Sequence, residues 1–148
     1  MKKVMMIAFA MVVVAGCAGT KKDADAVVVK HRILAHGAYS ERETASNIII
    51  TSQGKLDEIY KELLIDSIPS VNFDENNVVA LFMGRKSTGG YSITVNTVHV
   101  FGSEAQVNYI TSAPDGMATM ALSSPYCIAA IPKTGRVIFF DESTKAKK

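Results

Sequence analysis

The sequence predicts an α+β fold that is mostly β, a largely antiparallel sheet or sandwich of about seven short strands with one amphipathic helix. One segment, residues 55–64, repeats apolar residues at helical spacing and predicts the helix. After Pro69 the chain consists of short apolar or alternating runs that turn residues separate, which is typical of strands. With 48% hydrophobic and 20% charged residues, the composition is that of a globular domain.

The N-terminal residues have the pattern of a bacterial lipoprotein signal. Lys2 and Lys3 precede an apolar run over residues 4–14, and small residues lead from there to Cys17. The run is too short for a membrane span, which needs about 20 apolar residues. We therefore expect residues 1–16 to be a signal peptide and Cys17 to carry the lipid. The protein would then be held in the bacterial cell envelope, on the outer membrane facing the periplasm in a diderm source with enteric-type sorting.

The remaining chain is predicted to form one globular domain on a tether. Residues 17–26 are small or charged without apolar periodicity, so they predict the lipid anchor and a flexible linker. Residues 27–148 would be the domain, and its polar end from Glu142 onward is expected to fray.

The elements follow in order along this domain. Predicted strands cover residues 27–34, 47–51, 78–83, 91–98, 105–111, 126–131 and 137–140. Ser52 is a plausible N-cap for the helix over 55–64. The continuous apolar run at 78–83 indicates a strand near the centre of a sheet. Gly102-Ser103 predicts one hairpin and the turn at 132–135 predicts a last one.

Charge and cysteine content exclude several classes of function. The 16 basic and 14 acidic residues nearly balance, and two of the basic residues lie in the signal segment, so a nucleic-acid role lacks support. If Cys17 carries lipid, Cys127 has no partner for an intrachain disulfide. Cys127 stands in an apolar run, where we expect a small apolar filler and not a catalytic thiolate.

Two short matches to enzyme motifs do not predict an enzyme. Residues 52–55 fit S-x-x-K and residues 133–135 fit K-T-G, the pair found in serine β-lactamases and penicillin-binding proteins, but the third S-D-N element is missing and the chain is too short. His31, His36 and His99 lack metal-ligand spacing. We predict no enzymatic activity, no metal and no cofactor.

The segment over residues 84–93 is the strongest candidate for a binding site. Gly89 and Gly90 allow positive φ or the close approach of another molecule, and Arg85, Lys86, Ser87 and Thr88 supply donors. A phosphate cradle is disfavoured because the lysine precedes the glycines and no helix follows. An ordinary hairpin and a rigid loop that presents backbone and Tyr91 to a protein partner both remain open.

Together with Ser-Pro-Tyr-Cys-Ile-Ala-Ala-Ile-Pro-Lys at 124–133, this segment resembles the PrcB-like domain of bacterial protease-complex lipoproteins, and residues 68–73 fit its lead-in. The PrcB-like region would span residues 68–133. The resemblance implies a non-catalytic, membrane-anchored subunit that associates with and stabilises an exported protease, and it brings no catalytic residues. The sequence departs from the family pattern at Ser87, where proline is common, and at Cys127, where histidine is common.

A looser similarity leads to the same class of function. Thr88-Gly89-Gly90-Tyr91 is similar to a loop that chagasin-type inhibitors insert into cysteine proteases. We therefore expect an accessory, stabilising or inhibitory subunit that binds a protein partner, with an exported protease as the candidate. The predicted contact residues are Ser87, Thr88, Gly89, Gly90, Tyr91, Pro125 and Tyr126. The alternatives are a structural envelope lipoprotein unrelated to proteases and a small-ligand-binding domain.

Overall fold

The computed structural model describes residues 25–143, so the expected signal peptide, Cys17, most of the linker and residues 144–148 lie outside the described residues. The elements are β1 (Val27–Val29), β2 (Arg32–Gly37), β3 (Ser46–Ile50), α1 (Gln53–Glu62), β4 (Asn76–Phe82), β5 (Ser92–Phe101), β6 (Glu104–Ser112), β7 (Tyr126–Pro132) and β8 (Arg136–Asp141). The predicted α+β, mostly β class is confirmed. Within residues 25–143, no helix is long and apolar enough to cross a membrane.

Two four-stranded sheets form the domain. We call the sheet of order β1-β5-β6-β8 the outer sheet and the sheet of order β2-β7-β4-β3 the central sheet. All strand pairs are antiparallel except β6 with β8, which is parallel. The predicted first strand is two strands, since β1 pairs with β5 in the outer sheet and β2 pairs with β7 in the central sheet.

The central sheet has a hydrophobic core on each of its faces. In β4, Val78, Ala80 and Phe82 pack towards α1, whereas Val79 and Leu81 pack towards the outer sheet. β7 alternates in the same way. Strands buried on both faces have continuous apolar sequences, which is why the run over 78–83 predicted a central strand.

The helix begins and ends two residues earlier than the predicted 55–64. Ser52 caps it as predicted, because its Oγ accepts a hydrogen bond from the Lys55 backbone N–H at 3.4 Å. At the other end Leu64 has φ 57°, and the N–H groups of Leu64 and Ile65 bond to the carbonyls of Lys61 and Tyr60. These two bonds form a Schellman motif, which ends the helix although the apolar stripe continues.

The predicted hairpin at Gly102-Ser103 is confirmed, but the predicted last hairpin is wrong. β5 and β6 pair from Phe101 with Glu104 onwards. β7 and β8 lie in different sheets, because β7 already has β2 and β4 as neighbours on its two edges. The N–H groups of Gly135 and Arg136 both donate to the Ser103 carbonyl, which directs the chain to the outer sheet.

The end of the described chain is held more firmly than its polar sequence predicted. The Glu142 carboxylate accepts hydrogen bonds from the side-chain amides of Asn96 and Asn108, at 2.6 and 3.1 Å. The Ser143 hydroxyl oxygen accepts a hydrogen bond from the Thr111 N–H at 2.6 Å. Residues 142 and 143 are thus fastened to the outer sheet.

Candidate functional site

Three loops meet at one end of the two sheets. The first loop, residues 38–45, joins β2 to β3. The glycine loop, residues 83–91, joins β4 to β5, and the methionine loop, residues 113–125, joins β6 to β7. The strand ends bring the three loops together, because Tyr126 pairs with both Gly37 and Phe82, and Phe82 pairs with Ser46.

The glycine loop and the methionine loop are fastened to each other by backbone hydrogen bonds. Lys86 and Ser123 exchange two N–H to carbonyl bonds of 2.7 and 3.1 Å. The Gly89 N–H donates to the Thr119 carbonyl at 3.1 Å. The Ser123 hydroxyl adds a bond of 2.6 Å to the Thr88 carbonyl. With the 2.9 Å bond from the Met83 N–H to the Pro125 carbonyl, five hydrogen bonds join the two loops into one braced unit.

Gly89 and Gly90 allow the two loops to lie close enough for these hydrogen bonds. A Cβ at Gly89 would collide with Oγ1 of Thr119, and Gly89 is buried. Gly90 has φ 86°, and a Cβ there would lie 2.8 Å from Cβ of Pro114. The sequence predicted that these glycines permit a close approach by another molecule. In the structure the neighbour that approaches closely is the methionine loop of the same chain.

The remaining predicted residues of the glycine loop are partly accessible. Ser87 and Gly90 are exposed, and Thr88 is half-buried. Tyr91 is half-buried, with the Lys86 ammonium 5.7 Å from its ring centroid. The glycine loop therefore offers a small polar surface and one side of an aromatic ring.

Pro125 and Tyr126, which the sequence placed among the contact residues, are buried. Pro125 is almost fully enclosed, and Tyr126 is 7% exposed. The Tyr126 ring lies 6.3 Å from the Phe82 ring, and its edge fills the space where Gly37 has no side chain. Both side chains therefore pack inside the domain and do not form part of the exposed surface at this end.

The methionine loop carries three exposed large apolar side chains, none of which was among the predicted contact residues. Met117 is 104% exposed, Met120 is 95% exposed and Leu122 is 58% exposed. We call these three residues the apolar tip. A signal was available in the sequence, because these large apolar residues follow Pro114 and Gly116 without any strand or helix periodicity that would bury them.

The first loop ties this end of the molecule to the helix. The Ser124 hydroxyl donates to the Arg42 carbonyl at 2.7 Å, so in the 2.7 Å contact with Ser40 the Ser40 hydroxyl is the donor. The Arg42 guanidinium lies 4.2 Å above the Phe82 ring and makes a two-pronged ion pair with Glu62, at 2.7 and 2.9 Å. Bidentate pairs of this kind fix orientation as well as charge.

The groups that suggested catalysis have structural roles. Burial raises the pKa of the Cys127 thiol, and hydrogen bonds with Val95 and Thr94 oppose this only in part, so the thiol stays protonated near neutral pH. Ser52 caps α1, and the Lys133 ammonium donates to the Phe73 carbonyl at 2.8 Å. In residues 25–143, no group of three or more His, Cys, Asp or Glu side chains is placed to hold a metal ion.

Two of the open clefts on the described residues are not lined by the apolar tip. One of about 510 Å³ opens at the β3 side of the molecule between the sheets, with Asn47, Lys86 and Tyr109 in its lining. The other, of about 430 Å³, lies beside Lys30, His31 and Arg32 at the opposite end. Polar or charged residues make up at least half of the lining of each cleft, whereas small-molecule pockets are predominantly apolar.

Comparison with known families finds a match for the part of the chain that carries two of the three loops. Residues 77–132 match the family model described as PrcB C-terminal. The matched segment runs from β4 to β7 and includes the whole glycine loop and the whole methionine loop. Comparison with curated proteins and with solved structures found no match.

Proposed function

We propose that this chain, whose residues 77–132 match the family model described as PrcB C-terminal, is a non-catalytic subunit that binds an exported protease in the bacterial cell envelope. The predicted resemblance to a PrcB-like domain is confirmed over these residues, and the name of that domain points to association with a protease complex. The contact surface that we propose consists of the apolar tip together with Ser87, Gly90 and the exposed side of Tyr91.

The exposure of the apolar tip carries this proposal. Three large apolar side chains project from one loop, while the core-facing residues of both sheets are well buried. Such side chains gain free energy when a partner covers them, and methionine adapts its shape to irregular apolar surfaces. Concentrated apolar surface is typical of interaction sites, and these three side chains lie within six residues of one loop.

The bracing of the loops supports the same role. Association costs less when the binding residues are already ordered. The Lys86–Ser123 bond pair, the Gly89–Thr119 bond and the buried Ser124 hydroxyl hold the base of the methionine loop before any partner arrives. A loop held in this way is suited to binding and needs no catalytic group.

Membrane anchoring through Cys17 is the second part of the proposal. The lipoprotein pattern of residues 1–17 supports it, and a tether over residues 18–26 would reach roughly 30 Å when extended. We expect Cys17→Ser to move the protein from the membrane fraction to the soluble fraction or to block its processing. Unchanged membrane retention of this variant would remove the anchoring from the proposal.

The experiment is a capture of envelope proteins on the tagged full-length chain, with mass spectrometry to identify what is bound. The test variant is Met117→Gln/Met120→Gln/Leu122→Gln, and the control is Val28→Gln. Val28 is 63% exposed and pairs with His99 near the other end of β5, so it matches Leu122 in exposure but not in position. Wild type and control should both enrich a peptidase.

Binding by the tip variant should be weaker by at least roughly tenfold, since covering one large apolar side chain contributes about 1.5–3 kcal/mol. Its melting temperature should stay near that of the wild type, because the substituted side chains are exposed. Recovery of envelope proteins without any peptidase would favour a scaffolding role. Equal capture by wild type and tip variant would refute the proposed surface.

A further inference from the structure

We propose that Met117 and Met120 form a peroxide-sensitive modification site, and that oxidation of their thioethers makes the contact surface polar and releases the partner. The release rests on the proposed binding function. The site of modification rests on exposure alone and is tested separately.

Met117 and Met120 are much more exposed to solvent than Met83, the other methionine in residues 25–143. Met117 and Met120 are 104% and 95% exposed. Met83 is half-buried, packs against the core between the two sheets, and donates its backbone N–H to the Pro125 carbonyl at 2.9 Å. Because oxidation requires access of the oxidant to the sulfur, the structure predicts that the tip reacts first.

The fold also keeps the two sulfurs on one short, fixed stretch. Thr119 lies between them in the sequence, and its carbonyl accepts the Gly89 N–H at 3.1 Å. Gly89 also lies close to the Thr119 side chain, so that a Cβ at this position would collide with Oγ1. Oxidation of the side chains breaks none of these backbone bonds, so the loop keeps its path while its surface changes.

The reaction is a two-electron oxygen transfer from hydrogen peroxide. A lone pair of the thioether sulfur attacks one peroxide oxygen, the S–O bond forms and the O–O bond breaks. The departing hydroxide takes the proton from the transferred hydroxyl and leaves as water. The sulfur is oxidised to a sulfoxide and the peroxide is reduced.

The product changes what the tip can bind. A sulfoxide is polar and accepts hydrogen bonds. Burying it in an apolar site without a hydrogen-bond donor therefore costs desolvation free energy, whereas burying the thioether does not. Methionine sulfoxide reductases reverse the modification. The contact surface is therefore one that an oxidant can switch off and a reductase can restore.

The first test maps oxidation on the full-length chain. The folded protein is treated with increasing hydrogen peroxide, then digested, and each methionine-containing peptide is followed by mass spectrometry for the gain of one oxygen atom. Met117 and Met120 should be oxidised before Met83 is measurably modified. Equal rates at all three positions, or earlier oxidation of Met83, would overturn the proposed site.

The second test measures the apolar surface and needs no identified partner. The probe is retention on a phenyl-substituted column. Oxidation should shorten retention of the wild type and leave the variant Met117→Leu/Met120→Leu unchanged, because leucine keeps the apolar surface without a sulfur. Oxidation that shortens retention of both proteins equally would overturn the assignment to the tip.

The consequence for binding is tested by repeating the envelope capture with oxidised protein. Peptidase recovery should fall by at least roughly tenfold for the oxidised wild type, recover after treatment with a sulfoxide reductase, and stay unchanged for the leucine variant. Capture that withstands oxidation would refute the switch. If unoxidised protein captures no peptidase while the first two tests succeed, the proposed function fails and the modification site stands.

Discussion

At the scale of single residues, Tyr60 combines deep burial with an unsatisfied polar group. Its side chain is 1% exposed in the core between α1 and the central sheet. Among residues 25–143 no hydrogen-bond partner faces its hydroxyl group. Burial raises the pKa of this phenol, the neighbouring Tyr126 adds to the rise, and Arg32 opposes it. The hydroxyl therefore costs stability at neutral pH and costs more where the phenol would ionise.

Tyr60→Phe should stabilise the protein by about 1 kcal/mol near neutral pH, because it removes an unsatisfied buried hydroxyl and keeps the ring. The raised pKa also makes the wild type sensitive to alkali. The pKa of Tyr60 is higher in the folded state than its value of about 10 in the unfolded chain, so its ionisation does not lower the free energy of unfolding below about pH 10. Above that pH the free energy of unfolding falls as the pH rises through the folded-state pKa. The variant should lose less stability above that pH, as measured by urea unfolding at neutral and alkaline pH.

Two other groups contribute to the alkaline loss and remain in the variant. Burial also raises the pKa of Tyr126 and of Cys127. The variant should therefore still weaken in alkali, with a smaller slope. Tyr39→Phe is the matched control, because Tyr39 is 66% exposed and its hydroxyl is open to water. If Tyr60→Phe were clearly less stable than the wild type, the hydroxyl would have to make a stabilising bond.

At the scale of elements, the sequence predicted the elements that a local pattern specifies. It did not predict the strand pairings that depend on residues distant in the sequence. The stripe Leu56, Ile59 and Tyr60 located α1, and these residues are buried as the pattern requires. The parallel pairing of β8 with β6 left no trace in the local sequence, because it depends on the bonds of Gly135 and Arg136 to Ser103. Burial of Pro125, the last residue of the methionine loop, likewise depends on residues that are distant in the sequence.

The end of α1 offers a test of how local chemistry sets an element boundary. Leu64 occupies the left-handed position of the Schellman motif, with φ 57°, and is 83% exposed. A left-handed conformation costs a non-glycine residue about 1–2 kcal/mol, whereas glycine loses about 0.4–1 kcal/mol through the greater freedom of the unfolded chain. Leu64→Gly should therefore raise the free energy of unfolding by about 0.5–1 kcal/mol, measured by chemical denaturation.

Leu64→Ala is the control for this prediction. Alanine removes the same exposed side chain but keeps the Cβ that makes the left-handed conformation costly. It should leave the free energy of unfolding nearly unchanged. A gain from alanine equal to the gain from glycine would show that the leucine side chain, and not the backbone, is the source of strain.

At the scale of the whole molecule, the central sheet determines how much of the site was predictable. The composition of the glycine loop was enough to identify it as a candidate site. The close approaches of Gly89 to Thr119 and of Gly90 to Pro114, however, involve residues from two different loops. These contacts arise because β4 and β7 lie side by side, so that the chain enters the glycine loop and leaves the methionine loop at neighbouring positions. A single-sequence pattern carries no information about that adjacency.

The same sheet should make the domain unfold as a unit. Ile128 is buried in the core on the helix side of β7, and Ile131 is buried in the core on its outer-sheet side. Ile128→Ala and Ile131→Ala should each cost about 2–5 kcal/mol, the usual range for such truncations in a packed core. Because both cores share β4 and β7, loss of either should melt α1 and the outer sheet together.

Two probes can check this coupling in each variant. Far-ultraviolet circular dichroism follows the secondary structure, and tyrosine fluorescence follows Tyr60 and Tyr126 on the helix side and Tyr109 on the outer-sheet side. The transitions should coincide and shift together to lower denaturant concentration, whichever core is truncated. If the two transitions separated in Ile131→Ala, the domain would not unfold as one unit. The loop end, which draws strands from both sheets, would then lose the rigid base on which the apolar tip depends.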